Sequence, residues 1–202
     1  MRRSAARAQG FTLIEIAIVL AIIAFLAFGI LNSRPVVRQA QTKDIIKGVG
    51  DIATATQQFR DRYGAWPGDL GGGVATLPDL TATCGGNGNG VIDTVLESSC
   101  ASEELIRASM LRGDALAPIV LVGRVTLSLT DRAFAAGLPD LGTLPAHWKN
   151  VVRVQNIDCD VAIQLDRALD DGSTATGNFR TGTVCAGQDE NTAVANAVLK
   201  LN

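Results

Sequence analysis

Hydrophobic and polar residues are distributed very unevenly along this chain. Residues 11–31 form one apolar run that only Thr12, Glu15 and Gly29 interrupt. As a helix, a run of this length rises about 30 Å, which is the thickness of the hydrocarbon core of a bilayer. We therefore expect a transmembrane helix over about residues 11–31, and a short basic segment with three arginines precedes it.

The chain becomes polar after Pro35 but keeps a helical period. Apolar or small residues recur at three- and four-residue steps, namely Ile45, Ile46, Val49, Ile52, Ala53, Thr56, Phe59 and Tyr63. Because Pro35 can kink a helix without ending it, one long helix over residues 11–63 is predicted. Gly48 and Gly50 each weaken it by about 1 kcal/mol relative to Ala, so it needs packing to persist. Its end is predicted at "YGAWPGDL", residues 63–70, where Gly and Pro oppose helix formation.

Residues 64–202 are predicted to form a globular head with short helices and strands. The patterns favour a helix over 102–110, a β-rich stretch over 119–129, a strand over 151–157, a helix from Asp160 that stops near Gly172, a strand at "NFRTGTV", and a short amphipathic helix or frayed tail at the end. The fold class that follows is α+β: a long N-terminal helix packed on a small antiparallel sheet, with loops held by disulfides.

The cysteine spacing favours disulfides over metal or redox motifs. Cys84, Cys100, Cys159 and Cys185 all follow the apolar run, and none forms a C-x-x-C pair. A head exported into an oxidising compartment is expected to form disulfides. Of the three possible connectivities we expect the local one, Cys84 with Cys100 and Cys159 with Cys185, the alternative being four free buried thiols.

The Gly/Asn-rich stretch between the first two cysteines partly matches a calcium-binding loop. Oxygen-bearing residues alternate over residues 87–93, as calcium ligands do. However, the first ligand position falls on Gly85 and the bidentate acid position falls on Leu96. A flexible turn closed by Cys84 and Cys100 is therefore favoured, and we predict neither a metal site nor a cofactor.

Catalytic motifs are missing from the sequence. His147 is the single histidine, and neither a G-x-S-x-G motif nor a phosphate-binding loop of the Walker type occurs. The adjacent carboxylates Glu103 and Glu104 are interpreted as solvated charge, and Asp166, Asp170 and Asp171 as a solvated helix end. We do not expect an enzyme.

Charge gives no indication of a nucleic-acid partner. The 18 Lys and Arg residues are scattered, and the net charge is −2. Binding of nucleic acid usually needs a basic patch or stripe.

Glu15 separates three interpretations of the N-terminal segment. A secretory signal peptide has an apolar core of about 7–15 residues and an A-x-A-like cleavage site, and neither feature fits here. A plain membrane anchor fits the length but leaves a carboxylate in the membrane, which costs at least about 2.5 kcal/mol at the bilayer centre and less near the interface. Cleavage between Gly10 and Phe11 would create an ammonium group on Phe11, on the same helix face as Glu15. The two charges attract strongly in a medium of low dielectric constant.

The sequence "G-FTLIE", followed by an apolar helix, resembles the processing site of type IV prepilins and type II secretion pseudopilins. The resemblance implies that a membrane peptidase cuts after Gly10, that the new N-terminus on Phe11 is methylated, and that Glu15 acts in subunit docking. The stretches "YGAWPGDL" and "AIQLDRALDDG" with "TGNFRTG" also look like parts of proteins of this family.

The resemblance implies a subunit of a type IV pilus or a secretion pseudopilus. Residues 1–10 would be the leader peptide. The implied partners are the prepilin peptidase and methylase, other subunits in a helical fibre, and the assembly platform of the inner membrane. The implied location is the bacterial inner membrane, crossed once with a cytoplasmic N-terminus and an extracytoplasmic head, and afterwards the fibre. The alternative is a membrane-tethered extracytoplasmic binding module that does not polymerise.

Overall fold

The computed structural model describes residues 11–138, 141, 143–182, 185 and 187–202. Within them, the helices are α1 (Leu13–Tyr63), α2 (Val95–Arg107), α3 (Arg132–Ala136) and α4 (Cys159–Leu169), and the strands are β1 (Ile119–Val120), β2 (Thr126–Asp131), β3 (Asn150–Asp158), β4 (Phe179–Thr181) and β5 (Ala193–Lys200). The chain divides into two compact units between Ala40 and Gln41.

The long helix α1 is continuous through Pro35, as predicted. It ends at Tyr63, where Gly64 takes a positive φ of 73° and donates its N–H to the Arg60 carbonyl. Among the described residues, no helix is both long enough and apolar enough to cross a bilayer. The membrane-spanning part of the predicted fold class is therefore unconfirmed.

In the second unit, residues 41–63 of α1 bury the predicted stripe. Ile45, Val49, Ile52 and Phe59 are buried in one cluster with apolar side chains of β2, β3, β5, α2 and α4. Packing of this kind supplies the stability that a helix with two internal glycines lacks by itself.

The strands form one antiparallel sheet in the order β1-β2-β3-β5-β4. Val152 and Val154 of β3 belong to the cluster that contains α1, whereas Val151 belongs to a second cluster with Leu144 and Trp148. This alternation follows from the two-residue period of a strand and shows that both faces of the sheet are covered. The prediction of an α+β head with a small antiparallel sheet is confirmed.

The first part of the head departs from the predicted elements in two places. Helix α2 begins at Val95 rather than Ser102, because Thr94 and Glu97 form a reciprocal capping box. The β-rich stretch 119–129 is two strands, because Gly123 and Arg124 adopt positive φ between β1 and β2.

The C-terminal segment is a strand, so the prediction of an amphipathic helix or a frayed tail is wrong. Strand β5 lies between β3 and β4, and its backbone pairs with both neighbours. Pairing on both edges fixes an extended conformation in a segment whose alanines carry little intrinsic strand preference.

Both disulfides of the predicted local pairing are present. Cys84–Cys100 joins the Gly/Asn-rich stretch to α2, with the two Cα atoms 5.5 Å apart. Cys159–Cys185 joins the start of α4 to the segment before β5, with a Cα–Cα distance of 5.3 Å. None of the described cysteines is a free thiol.

Candidate functional site

The first candidate site is the start of α1, where Thr12 and Glu15 cap each other. The Oε2 atom of Glu15 accepts hydrogen bonds from the backbone N–H of Thr12 at 2.8 Å and from its hydroxyl at 2.7 Å. The Glu15 N–H donates in return to the Thr12 hydroxyl at 3.3 Å. This arrangement is a capping box, which satisfies backbone donors at a helix N-terminus. Glu15 therefore caps the helix, in addition to the docking role predicted for it.

The residues of the predicted processing site are only partly described. Gly10 and the predicted leader, residues 1–10, lie outside the described residues. Phe11 is 84% exposed and precedes the helix. In the uncut chain its nitrogen is an amide, so the predicted pairing of a Phe11 ammonium with Glu15 is a property of the cleaved form only.

The helix that follows Phe11 presents apolar side chains to the outside. Every residue from 11 to 28 is exposed. The large apolar ones are Phe11, Leu13, Ile14, Ile16, Ile18, Val19, Leu20, Ile22, Ile23, Phe25, Leu26 and Phe28. A contiguous apolar surface of this size marks a site of contact with protein or lipid.

The second candidate site is the Gly/Asn-rich loop, which is built around the carboxylate of Asp69. Asp69 is 1% exposed and comes from the "YGAWPGDL" turn. Its Oδ1 accepts the N–H groups of Gly88 at 2.7 Å and Asn89 at 3.2 Å, and its Oδ2 accepts that of Gly90 at 2.7 Å. Successive N–H groups that converge on one oxygen pair form an anion-binding nest, here occupied by the protein's own side chain.

Two further side chains hold the same loop. Glu97 accepts N–H groups from Asn87 and Asp93, at 3.0 and 2.9 Å. Asn150, at the start of β3, accepts the Ile92 N–H at 2.8 Å and donates to the Gly90 carbonyl at 3.0 Å. The loop is thus pinned by buried polar groups as well as by the disulfide. Calcium binding by residues 87–93 stays an untested hypothesis.

The interpretation of Glu103 and Glu104 as solvated charge is wrong, since both side chains are buried. Glu104 accepts the Gly68 N–H at 2.7 Å through Oε2, and its Oε1 has no hydrogen-bond partner among the described residues. The pKa of Glu104 is raised to about 7, chiefly by burial and also by nearby carboxylates, against the opposing effect of the Gly68 hydrogen bond.

The interpretation of the α4 end as solvated is wrong for Asp166 and right for Asp171. Asp166 is buried, whereas Asp171 is exposed. The pKa of Asp166 is raised to about 6, chiefly by burial and also by the carboxylates of Asp171 and Asp170. The backbone N–H of Gly172 opposes the shift without reaching hydrogen-bonding geometry. Helical periodicity alone could have placed Asp166 near the buried face of Ala162 and Leu165.

Comparison with known protein families identifies the N-terminal segment. Residues 5–31 match the prokaryotic N-terminal methylation motif, which is the signature of type IV pilins and pseudopilins. The match covers Gly10, Phe11 and Glu15 and the whole apolar run of residues 11–31. Searches of curated proteins and of solved structures found no significant match.

Proposed function

We propose that the chain is a prepilin-like structural subunit that is cleaved after Gly10, methylated on Phe11 and assembled into a type IV pilus or a type II secretion pseudopilus. The observation that carries this proposal is the methylation motif at residues 5–31. The capping box of Thr12 and Glu15 and the exposed apolar surface that follows it are consistent with it.

Cleavage would give Glu15 a second role. One of its oxygens, Oε2, is engaged by Thr12 in the uncut chain. Removal of the leader creates an ammonium group on Phe11. In a bundle of helices the carboxylate of one subunit would meet the Phe11 ammonium of the next. Because a charge in a low-dielectric environment is stable only when paired, this pairing would set the axial register of the fibre.

The apolar surface of residues 11–28 suits two successive environments. Before assembly, residues 11–31 would lie in the inner membrane, with the N-terminus in the cytoplasm and the head outside. In the fibre, the same side chains would pack between subunits. Both environments remove apolar area from water, at roughly 25 cal/mol per Å².

The heads would cover the outside of the fibre and determine what the fibre binds. The two disulfides are suited to an extracytoplasmic compartment. The proposed partners are the prepilin peptidase and methylase, other pilin or pseudopilin subunits, and the inner-membrane assembly platform. The proposal includes no catalytic role and no nucleic-acid partner.

The alternative is a membrane-tethered binding module that never polymerises. Replacing residues 1–31 with an unrelated single-pass anchor separates the two functions. If the chain is an assembly subunit, the chimera is no longer incorporated into sheared fibres and no longer supports pilus formation or secretion. Its head nevertheless stays folded, with both disulfides formed. If the chimera keeps full function, the tethered module is the correct assignment.

A further inference from the structure

Three carboxylates meet where α4 ends. Asp166 lies in the last turn of α4, and Asp170 and Asp171 follow directly after it. One oxygen from each side chain lies within 4.8 Å of the others. Like charges this close repel each other unless a proton or a cation lies between them.

Asp166 distinguishes this group from an ordinary acidic surface. The residue is 0% exposed, and neither of its carboxylate oxygens has a hydrogen-bond partner among the described residues. Buried carboxylates in folded proteins are hydrogen-bonded, paired with a cation or bound to a metal, since an unpartnered one is strongly unfavourable. The oxygen that Asp166 contributes to the group with Asp170 and Asp171 is therefore an unsatisfied one.

The other two carboxylates are held in place by the loop that follows. Asp170 accepts N–H groups from Asn178 and from Phe179, the latter at 3.0 Å. Asp171 accepts from the Ser173 N–H at 2.9 Å and from the Thr176 hydroxyl at 2.8 Å. Hydrogen bonds from the following loop therefore hold the carboxylates of Asp170 and Asp171 in place.

Gly177 permits this arrangement. Its φ is +69°, and a Cβ atom there would collide with the carboxylate of Asp170. Any other residue would push the Asp170 carboxylate away from its position beside Asp166. The position of the Asp170 carboxylate thus explains the glycine at position 177.

We propose that Asp166, Asp170 and Asp171 bind a divalent cation, and that this cation is Ca²⁺. Carboxylate oxygens are the ligands of hard cations, and Ca²⁺ accepts irregular oxygen sets, whereas Mg²⁺ requires near-octahedral geometry and usually keeps several waters. The exposed Asp171 gives the site an opening to solvent for entry and for water ligands. A bound cation would join the end of α4 to β4 through the 170–178 loop.

The test uses the full-length protein in detergent, stripped with a chelator and then titrated with CaCl2 or MgCl2. Extracellular calcium modules bind with dissociation constants of roughly 10⁻⁴–10⁻³ M. At 10 mM CaCl2 the thermal midpoint of the wild type is therefore expected to rise by about 5 °C. Asp166→Asn removes the buried charge, so its metal-free midpoint is expected to be higher and its calcium response absent.

Two further variants keep the test decisive. Asp171→Asn, at the exposed position, is expected to fold normally and to lose the response. Asp160→Asn, on the first turn of the same helix, is expected to keep it. The proposal is overturned if CaCl2 does not raise the thermal midpoint of the wild type, including the case in which only MgCl2 raises it. It is also overturned if Asp166→Asn responds to CaCl2 like the wild type. A response that is lost in Asp93→Asn but kept in Asp166→Asn would assign the cation to the Gly/Asn-rich loop instead.

Discussion

The carboxylate of Glu15 and the backbone of Thr12 lie 2.8 Å apart at the first turn of α1, and each residue caps the other. The cap gives Glu15 a role that does not require its charge, because a neutral amide oxygen can accept the same hydrogen bonds. The proposed contact with a neighbouring Phe11 ammonium does require the charge. Substitutions at this position can therefore separate helix capping from subunit docking.

Glu15→Ala and Glu15→Gln are expected to behave alike in assembly. Both variants should insert into the membrane and be cleaved, and both should be strongly reduced in sheared fibres, because both lose the charge that pairs with Phe11. The measurement is the ratio of fibre-associated to membrane-associated protein. Normal assembly of Glu15→Gln would mean that capping, and not charge pairing, is the function of the residue.

Asp69→Ala is expected to lower the free energy of unfolding by about 3 kcal/mol or more, since it leaves three N–H groups of the Gly/Asn-rich loop without an acceptor. Asp93→Ala is the matched control, because Asp93 is exposed and its carboxylate accepts bonds from the side chains of Asn87 and Asn89. Its cost should stay below about 1 kcal/mol. Denaturant unfolding in the presence of a chelator measures both, and equal losses would refute the role given to Asp69.

The raised pKa of Glu104 predicts that the free energy of unfolding depends on pH. This pKa is about 7 in the folded protein, against an ordinary value of 4.5. The folded state therefore binds a proton more tightly than the unfolded state. The stability associated with protonated Glu104 is fully present below about pH 4.5 and is lost as the pH rises through 7, by on the order of 3 kcal/mol.

Glu104→Gln should remove this dependence. The variant is expected to match the wild type near pH 5 and to be more stable at pH 8, as measured by chemical denaturation at both values. Glu103→Gln is the control, because Glu103 is buried next to Glu104 and an amide oxygen can keep its hydrogen bonds from Thr81 at 2.8 and 3.0 Å, so this variant should keep the wild-type pH dependence. Equal stability of Glu104→Gln and wild type at pH 8 would contradict the assignment.

Gly48 and Gly50, two helical glycines of α1, differ in the space available to a Cβ atom, so the same substitution can be compared at both positions. A Cβ atom at Gly50 meets nothing within 4 Å, so Gly50→Ala should stabilise the protein by about 0.5–1 kcal/mol. At Gly48 a Cβ atom would lie 2.7 Å from the Leu121 methyl groups, so the gain should be smaller or reversed. Denaturant midpoints measure both variants. A larger gain at Gly48 would show that Leu121 does not restrict the helix there.

Local sequence patterns were sufficient to predict features that depend on one helix or on neighbouring segments of the chain. The stripe from Ile45 to Phe59 predicts the buried face of α1, and the spacing of the cysteines predicts the local disulfides. The capping box at Thr94 and Glu97 is also a local signal, and using it would have placed the start of α2 correctly.

The remaining features depend on contacts between distant segments. Strand β5 is specified by pairing with β3 and β4, which no local pattern in "TAVANAVLKLN" reveals. Asp69 accepts hydrogen bonds from a loop about twenty residues away in sequence, and the buried Glu104 accepts one from the distant Gly68. Carboxylates are usually solvated, so only the tertiary structure identifies those that are not.

The N-terminus of the protein isolated from host membranes or sheared fibres tests the central claim most directly. Mass spectrometry should find a chain that begins at Phe11, with the mass of one added methyl group on its amine. That result would establish prepilin processing and leave Glu15 with a charged partner. A functional protein that begins at Met1 would contradict the account, because neither the Phe11 ammonium nor its pairing with Glu15 would exist.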